Sequence, residues 1–202
     1  MLARFRRSWF VLLLVAPLLG ARPAAAGAQP DASGFIRGLA DQAIPILTRS
    51  DLPEAQREAH FRHMLHEGFD MNRIARLVLG RYWNQATPEE QAEFVGLLES
   101  YLVRLYAARF ADYQGVRLQV EGSRSDQGQT IVRSTLLRPG DPPVALDWRV
   151  EAASDRYVIT DLIVEGVSMI ITQRSEFASV IRQKGGRVEG LLQLLRQRAA
   201  RS

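Results

Sequence analysis

The segment that most constrains the fold spans residues 157–177 and has the sequence YVITDLIVEGVSMIITQRSEF. Its first half is β-branched and apolar on both sides of a pleat, which predicts a central strand covered on both faces. Gly166 then ends the strand, and the apolar residues that follow recur at roughly helical spacing. A covered strand is therefore predicted to turn directly into a helix, and this helix helps to cover one face of the strand.

Four helices are predicted in the first half of the chain from apolar spacing and capping residues. The first begins after a cap at Asp31 or Ser33 and is bent or shortened by Pro45. The second starts with an early proline and ends near Gly68, and the third spans residues 71–79 before a glycine stop. The first helix presents one apolar stripe, which is typical of a helix that packs on a core.

The fourth helix carries the strongest local signal in the chain, the sequence Thr87-Pro88-Glu89-Glu90. A threonine cap, a proline at the first helical position and a glutamate three residues after the cap form a capping box. The helix is predicted to continue to about Asp112. Its apolar face is wider than the ~100° of a simple surface helix, so we expect cover on more than one side or a border on an internal cavity. The residues of this wide face are Phe94, Val95, Leu97, Leu98, Tyr101, Leu102, Leu105, Tyr106 and Ala108.

Strand patterns replace helical ones from Gly115 onward. Three short strands precede the central strand, and turn residues separate them at positions 126–128 and 139–143. The third strand, residues 144–150, has one apolar face and one mostly polar face. Four strands joined by short turns predict an antiparallel meander. Because helices are segregated before and after the strands, we predict an α+β fold with helices packed on one face of a curved four-stranded sheet.

The first 28 residues have the layout of a secretory signal. Three arginines precede an unbroken apolar run from Trp9 to Leu19, and the small residues Ala26-Gly27-Ala28 follow as the predicted cleavage site. The apolar run is shorter than the ~20 residues that span a bilayer. We therefore predict a cleaved signal peptide, residues 1–28, followed by a single domain of residues 29–202.

Removal of the signal changes the charge balance. Residues 1–28 hold four of the 26 basic residues and none of the 22 acidic ones, so the mature chain has 22 of each. A nucleic-acid partner would require a basic surface, so none is expected. The chain has no cysteine, which excludes a structural disulfide and a lipidated N-terminal cysteine. These features predict a soluble periplasmic protein.

Three histidines are the only candidates for a metal site. His60, His63 and His66 spread over one side of the second helix. A zinc site would require further ligands and hydrogen-bond partners that the pattern does not supply. We therefore expect solvated or capping histidines, no metal and no cofactor.

Asp161 is the candidate base if the chain is a small α+β enzyme. The strand pattern predicts that Asp161 shares a face with Ile159 and Ile163, whereas Asp147 points away from the apolar face of its own strand. A structural bond to a neighbouring strand or helix end is the alternative role for Asp161. The chain has no cysteine nucleophile and no common catalytic motif, so no catalytic residue is assigned.

Two long blocks of the sequence resemble a known family. The block FDMNRIARLVLGRYWNQATPEEQAEF lies upstream of DLIVEGVSMIITQRSEF, which is followed by a Gly-Gly pair and the closing helix VEGLLQLLRQR. Together they resemble the MlaC, or toluene-tolerance, family, the periplasmic phospholipid-binding component of the system that maintains outer-membrane lipid asymmetry. The similarity spans most of the chain after residue 30.

The resemblance implies a lipid carrier and not an enzyme. In such a carrier, an apolar cavity between sheet and helices encloses the acyl chains of a phospholipid and leaves the head group largely outside. The implied partners are an inner-membrane ABC transporter complex and an outer-membrane lipoprotein complex, and the carrier is expected to be a monomer. Three alternatives remain open: a carrier of another apolar lipid such as a hopanoid, an enzyme acting on an apolar substrate, and an adaptor with a filled core.

The resemblance also implies that the apolar segments line the cavity. Tyr82 and Trp83 are expected to close the cavity or to line its mouth. Arg81 and Arg174 are candidates for contact with the lipid phosphate or with a partner. The predicted lipid-binding residues are Leu79, Tyr82, Trp83, Phe94, Leu98, Tyr101, Leu105, Leu146, Trp148, Ile163, Val167, Met169 and Ile170.

Overall fold

The computed structural model describes residues 31–110, 113–154 and 156–200, so the predicted signal peptide and the predicted helix end at Asp112 lie outside the described residues. No helix in the described ranges is long and apolar enough to cross a membrane. The elements in chain order are α1 (Ala32–Leu47), α2 (Glu54–Gly68), α3 (Met71–Leu79), a 3-10 helix (Gly80–Gln85), α4 (Pro88–Phe110), β1 (Arg117–Asp126), β2 (Gln129–Leu137), β3 (Val144–Ala152), β4 (Tyr157–Val164), β5 (Val167–Ser168), α5 (Met169–Gln183) and α6 (Val188–Ala200).

The helix starts follow the capping residues of the sequence. Asp31 accepts a hydrogen bond from the Gly34 backbone N–H at 2.6 Å and so caps α1, which continues through Pro45 to its end. At the start of α4, the Thr87 hydroxyl accepts from the Glu90 N–H at 3.2 Å, and the Glu90 carboxylate accepts from the Thr87 N–H at 2.9 Å. The predicted capping box is therefore confirmed.

The sheet is antiparallel and has five described strands in the order β1-β2-β3-β4-β5, so the predicted count of four is wrong. Glu165 and Gly166 both have positive φ angles, 49° and 79°. Two such residues in succession make a tight hairpin turn, which folds Val167 and Ser168 back onto the end of β4. The strand therefore does not lead directly into the helix, and α5 begins only after Ser168, whose hydroxyl caps it.

A β-bulge in β4 changes which residues share a face. Asp161 pairs with Arg149, whereas Ile159 pairs with Val150, and Thr160 between them has no partner in this ladder. Because Arg149 and Val150 are neighbours on one strand, their side chains lie on opposite faces. Asp161 and Ile159 therefore lie on opposite faces as well, and the prediction that they share a face is wrong.

Most of the helices pack into a cluster of their own, which we call the helical core. The helix α4 contacts α2, α3 and α6, which confirms that its wide apolar face is covered on more than one side. Phe177 of α5 lies edge-on to Phe94 and Tyr101, with ring centroids 5.9 and 5.7 Å apart. The buried members of the helical core are Leu47, Phe61, Leu65, Met71, Ile74, Ala75, Val78, Leu79, Tyr82, Phe94, Leu98, Val103, Ala107, Ile170, Phe177, Ile181, Val188, Leu191, Leu192 and Leu195.

The helix α1 packs on the sheet and forms a second cluster, which we call the α1–sheet cluster. Its buried members are Ala32, Ile36, Val132, Val150 and Ile159. A backbone hydrogen bond of 3.1 Å from Asp70 N to Ile159 O joins the start of α3 to β4, and Phe69 packs against both clusters. The described chain therefore contains two apolar clusters that meet near Phe69.

Candidate functional site

An apolar strip on the α1 side of the sheet is the candidate site. Trp148, which packs against the α1–sheet cluster, pairs with Leu162 on β4. Leu146, which is two residues before Trp148 on β3, lies on the same face and pairs with Val164. One further row along, Val144 pairs with Leu136. We call this set the sheet strip: Leu136, Val144, Leu146, Leu162 and Val164.

The sheet strip has incomplete cover. Leu146 is buried, and the other four residues are half-buried. Among the described residues, neither the helical core nor the α1–sheet cluster includes any of the five. A connected row of apolar side chains outside the packed clusters is the kind of surface that binds an apolar ligand or partner.

The polar groups beside the sheet strip are already paired. Ser134 is fully buried next to Leu146, and its hydroxyl accepts a hydrogen bond from the Trp148 indole N–H at 2.8 Å. The same hydroxyl donates to the Leu146 carbonyl at 3.4 Å. A buried hydroxyl that already donates one hydrogen bond and accepts another is poorly suited to bind a ligand. The strip can therefore recognise apolar groups by contact area and shape, and not by hydrogen bonds from Ser134 or Trp148.

The residues predicted from the helical half to line the cavity lie mainly in the helical core. Leu79, Tyr82, Phe94 and Leu98 are buried members of that core, and half-buried Trp83 and Tyr101 pack against it. Leu105 lies instead in a groove between α4 and α6, beside Leu97 and Leu195. These side chains are largely covered by contacts with other helices.

The six residues predicted from the sheet half are divided among several places. Leu146 and Trp148 lie at the sheet strip, whereas Ile163 pairs with Asp147 and so points to the opposite face. Val167 is 53% exposed on β5, and Met169 is half-buried at the start of α5. The sixth residue of this set, Ile170, is a buried member of the helical core, so the structure brings two of the six predicted residues together with the strip.

Four residues of the sheet strip are absent from the sequence prediction, namely Leu136, Val144, Leu162 and Val164. A signal for Leu162 and Val164 does exist in the sequence, because they alternate with Ile163 along an apolar strand. The face that they share with Leu146 depends on the pairing of β3 with β4, which a single strand does not reveal. Pairing therefore decides which alternate set belongs to the site.

Asp161 has a structural role in the observed geometry. Its carboxylate accepts hydrogen bonds from the Ser168 hydroxyl at 2.6 Å and from the Ile170 backbone N–H at 3.2 Å. Arg149 lies 3.7 Å away as an ion-pair partner. These contacts tie β4 to the start of α5, which matches the structural alternative and leaves the candidate base fully engaged.

The histidines of α2 lie at the surface of the helix. His60 and His63 are exposed, and His66 Nε2 lies 3.3 Å from the Glu99 carboxylate, which also binds Arg62 at 2.5 Å. In the described part of the chain, no group of three or more potential ligands could hold a metal ion. Glu99 therefore links α2 to α4 through an ion-pair network.

The two candidate arginines make contacts within the protein. The Arg174 Nε donates to the Leu77 carbonyl at 2.6 Å and so satisfies a carbonyl in the last turn of α3. The Arg81 guanidinium lies 5.1 Å from the centre of the Tyr82 ring. Both side chains remain exposed at the surface.

The clearest electrostatic perturbation lies on the surface, between α4 and α6. Hydrogen bonds from the Arg196 guanidinium hold the pKa values of the Glu93 and Glu189 carboxyls below their usual range. The same two carboxylates raise the pKa of Arg196. This exposed network pins α6 to α4 and is separate from the residues of the sheet strip.

Comparison with known proteins identifies the family. The family model described as MlaC protein matches residues 37–197. A solved structure of a phospholipid-binding protein from Ralstonia solanacearum, determined in complex with a phospholipid, is similar over 84% of this chain and 97% of its own, with 28% sequence identity and a TM-score of 0.76. The match covers both the helices and the sheet described above, and the chain belongs to the MlaC family.

Proposed function

We propose that the chain is a soluble periplasmic phospholipid carrier. The observation that carries this proposal is the phospholipid complex of the Ralstonia solanacearum protein, which shares the fold and 28% of the sequence. Residues 1–28 would direct export and be removed, and residues 29–202 would form the lipid-binding domain. The protein would act by binding and release, without chemical change to the lipid.

The sheet strip supports a location for the acyl chains. The helical core and the α1–sheet cluster are packed separately and meet near Phe69. Acyl chains that enter between the two clusters would cover the half-buried strip residues without disrupting the contacts inside either cluster. We therefore propose that the lipid lies against Leu146, Leu162 and Val164, with the helical half as the opposing wall.

The size of the hydrophobic term explains why such a carrier depends on partners. Burial contributes about 0.8 kcal/mol per methylene, so two chains of about fifteen methylenes represent on the order of 20 kcal/mol. Spontaneous release of the lipid into water would therefore be very slow. Exchange requires docking on a complex that offers an apolar path. An inner-membrane ABC transporter complex and an outer-membrane lipoprotein complex are the proposed donors and acceptors.

Native mass spectrometry of the mature protein tests the proposal. The protein is purified from the periplasm without detergent, and its bound lipid is then extracted and identified. We expect about one diacyl phospholipid per chain. A hopanoid or other polyisoprenoid in its place would redirect the proposal to that cargo. A lipid-free protein that also takes up no phospholipid from liposomes would contradict the carrier function.

A further inference from the structure

A basic groove lies on the surface formed by α3, the 3-10 helix and the start of α5. It has a volume of about 660 Å³, is open to solvent, and is lined in part by Arg73, Arg76, Trp83, Asn84 and Arg174. Because the mature chain carries equal numbers of basic and acidic residues, three arginines in one groove are a local excess of positive charge.

The acidic groups near the groove do not neutralise this excess. Arg73 is paired with Glu151 at 2.6 Å, and Asp70, the one acid in the groove wall, accepts the Arg73 backbone N–H as the cap of α3. Among the residues that the structure describes, Arg76 and Arg174 have no carboxylate within ion-pair distance. Two exposed guanidinium groups therefore remain available to an anionic partner.

The groove is held in its shape by contacts between its walls. The Arg174 Nε donates to the Leu77 carbonyl at 2.6 Å, which fixes the α5 side chain against the end of α3. Gly80 lies below Arg174 with a φ of +55°, and a Cβ atom there would lie 3.3 Å from Arg174 Cδ. A glycine is therefore suited both to the backbone angle and to the close approach. The arginine is positioned before any partner arrives.

Two exposed apolar residues precede Arg174 in the chain and indicate the kind of partner. Ile171 is 62% exposed one turn before Arg174 on α5, and Val167 is 53% exposed just ahead of the helix. A phosphate ion would leave both apolar side chains in water. A bilayer surface is flat and would not enter a concave groove. Ile171 and Arg174 are three residues apart on α5 and are therefore neighbours on the helix surface. A protein segment that presents carboxylates beside apolar side chains would contact both of them.

We propose that the basic groove binds an acidic segment of a partner protein, with Arg76 and Arg174 contacting its carboxylates and Ile171 contacting an adjoining apolar side chain. The inference rests on the proposed function, since a carrier has to dock in order to load and unload. Beyond the proposed function, the inference names the surface that would dock and the chemistry of the partner that would bind there.

Fluorescence anisotropy tests the proposal with the mature chain and a fluorescein-labelled ten-residue peptide of alternating glutamate and leucine at low salt. We expect saturable binding that Arg76→Glu weakens about fivefold or more and Ile171→Ser weakens about twofold or more. Arg117→Glu is the matched control, because Arg117 is also exposed but lies on β1, and it should change the affinity less than about twofold. A peptide with lysine in place of glutamate should not bind.

Several results would overturn the docking proposal. These are no binding of the glutamate–leucine peptide, an equal loss in the Arg117→Glu control, or Arg76-dependent binding to phosphatidylglycerol vesicles with no binding of the peptide. Native mass spectrometry of Arg76→Glu distinguishes a failure of the docking proposal from a failure of the carrier proposal. Bound phospholipid in a variant that has lost peptide binding supports both, whereas peptide binding by a protein that never holds lipid would contradict the carrier function alone.

Discussion

The helical core and the sheet differ in how completely their apolar side chains are covered. Side chains such as Phe94, Leu98 and Leu191 have almost no exposed surface, because helices surround them on several sides. On the sheet, α1 covers one part of a face, and Leu162 and Val164 of the same face stay half-buried outside either cluster. The helices therefore contain most of the buried apolar contacts, and the sheet leaves apolar surface that the proposed lipid would cover.

This difference in cover also explains how one small domain could be both stable and able to accept a lipid. A filled core is close-packed and loses several kcal/mol when it is disturbed, so it is poorly suited to accepting a ligand. A half-buried face loses little when a neighbouring element moves away and gains when an acyl chain takes its place. With the lipid at the proposed site, stability and lipid binding would depend on different parts of the fold.

The largest effect on stability is expected from Leu98→Ala in the helical core. Leu98 is 1% exposed, so truncation leaves a cavity and should lower the free energy of unfolding by about 2–5 kcal/mol. Urea titration followed by circular dichroism measures this change. Val95→Ala, at a half-buried position of the same helix, is the control and should lose less. Bound phospholipid should survive in Leu98→Ala at temperatures where the variant is folded. Loss of lipid from a folded Leu98→Ala protein would place the ligand in the helical core instead.

An intermediate effect is expected from Asp161→Asn, at the contact between the sheet and α5. The change removes the charge from a carboxylate that binds Ser168 and the Ile170 N–H, and should lower the free energy of unfolding by about 1–3 kcal/mol. Asp147→Asn is the matched control, because its ion pair with Arg133 is partly exposed and 3.6 Å long. Lipid content should be unchanged in both variants. Equal stability of the two variants would contradict the structural role of Asp161.

The smallest effect is expected from Arg196→Gln, on the surface of the helical half. Arg196 lowers the pKa of Glu93, so the pair stabilises the folded state above the ordinary pKa of a glutamate and loses this contribution as pH falls through the lowered value. The melting temperature of the variant should therefore be slightly below that of the parent at pH 7, and the difference should shrink in acid and in high salt. A difference that grows as the pH is lowered would show that the ion pair is not its cause.

Local chemistry made much of the fold predictable from the sequence. The capping box at Thr87 and Glu90 placed the start of α4, and the turn residues separated the first three strands in the correct order. Each of these signals depends on residues close together in the chain, so a short stretch of sequence is enough to recognise it. The α+β class follows from the same local information.

The parts that could not be predicted depend on contacts between strands. The bulge at Thr160 inverts the face of Asp161 relative to Ile159, and it is defined by pairing with β3. The turn at Glu165 and Gly166 adds β5, although glutamate rarely adopts a positive φ. Membership of the sheet strip has the same origin, because only the pairing with β3 shows that Leu162, and not Ile163, shares a face with Trp148. A wide apolar helix face is equally consistent with a cavity and with close packing, and α4 shows the packing.

The most direct test of the proposed lipid site compares Leu162→Asp with Ile163→Asp by native mass spectrometry of the mature protein. The two residues are neighbours on β4, both half-buried, and they point to opposite faces of the sheet. Circular dichroism establishes that both variants are folded. If the lipid lies against the sheet strip, Leu162→Asp should lose the co-purified phospholipid, because the acyl chains would meet a charge. Ile163→Asp should retain it. Retention in Leu162→Asp together with loss in Ile163→Asp would place the lipid on the opposite face and contradict the proposed site.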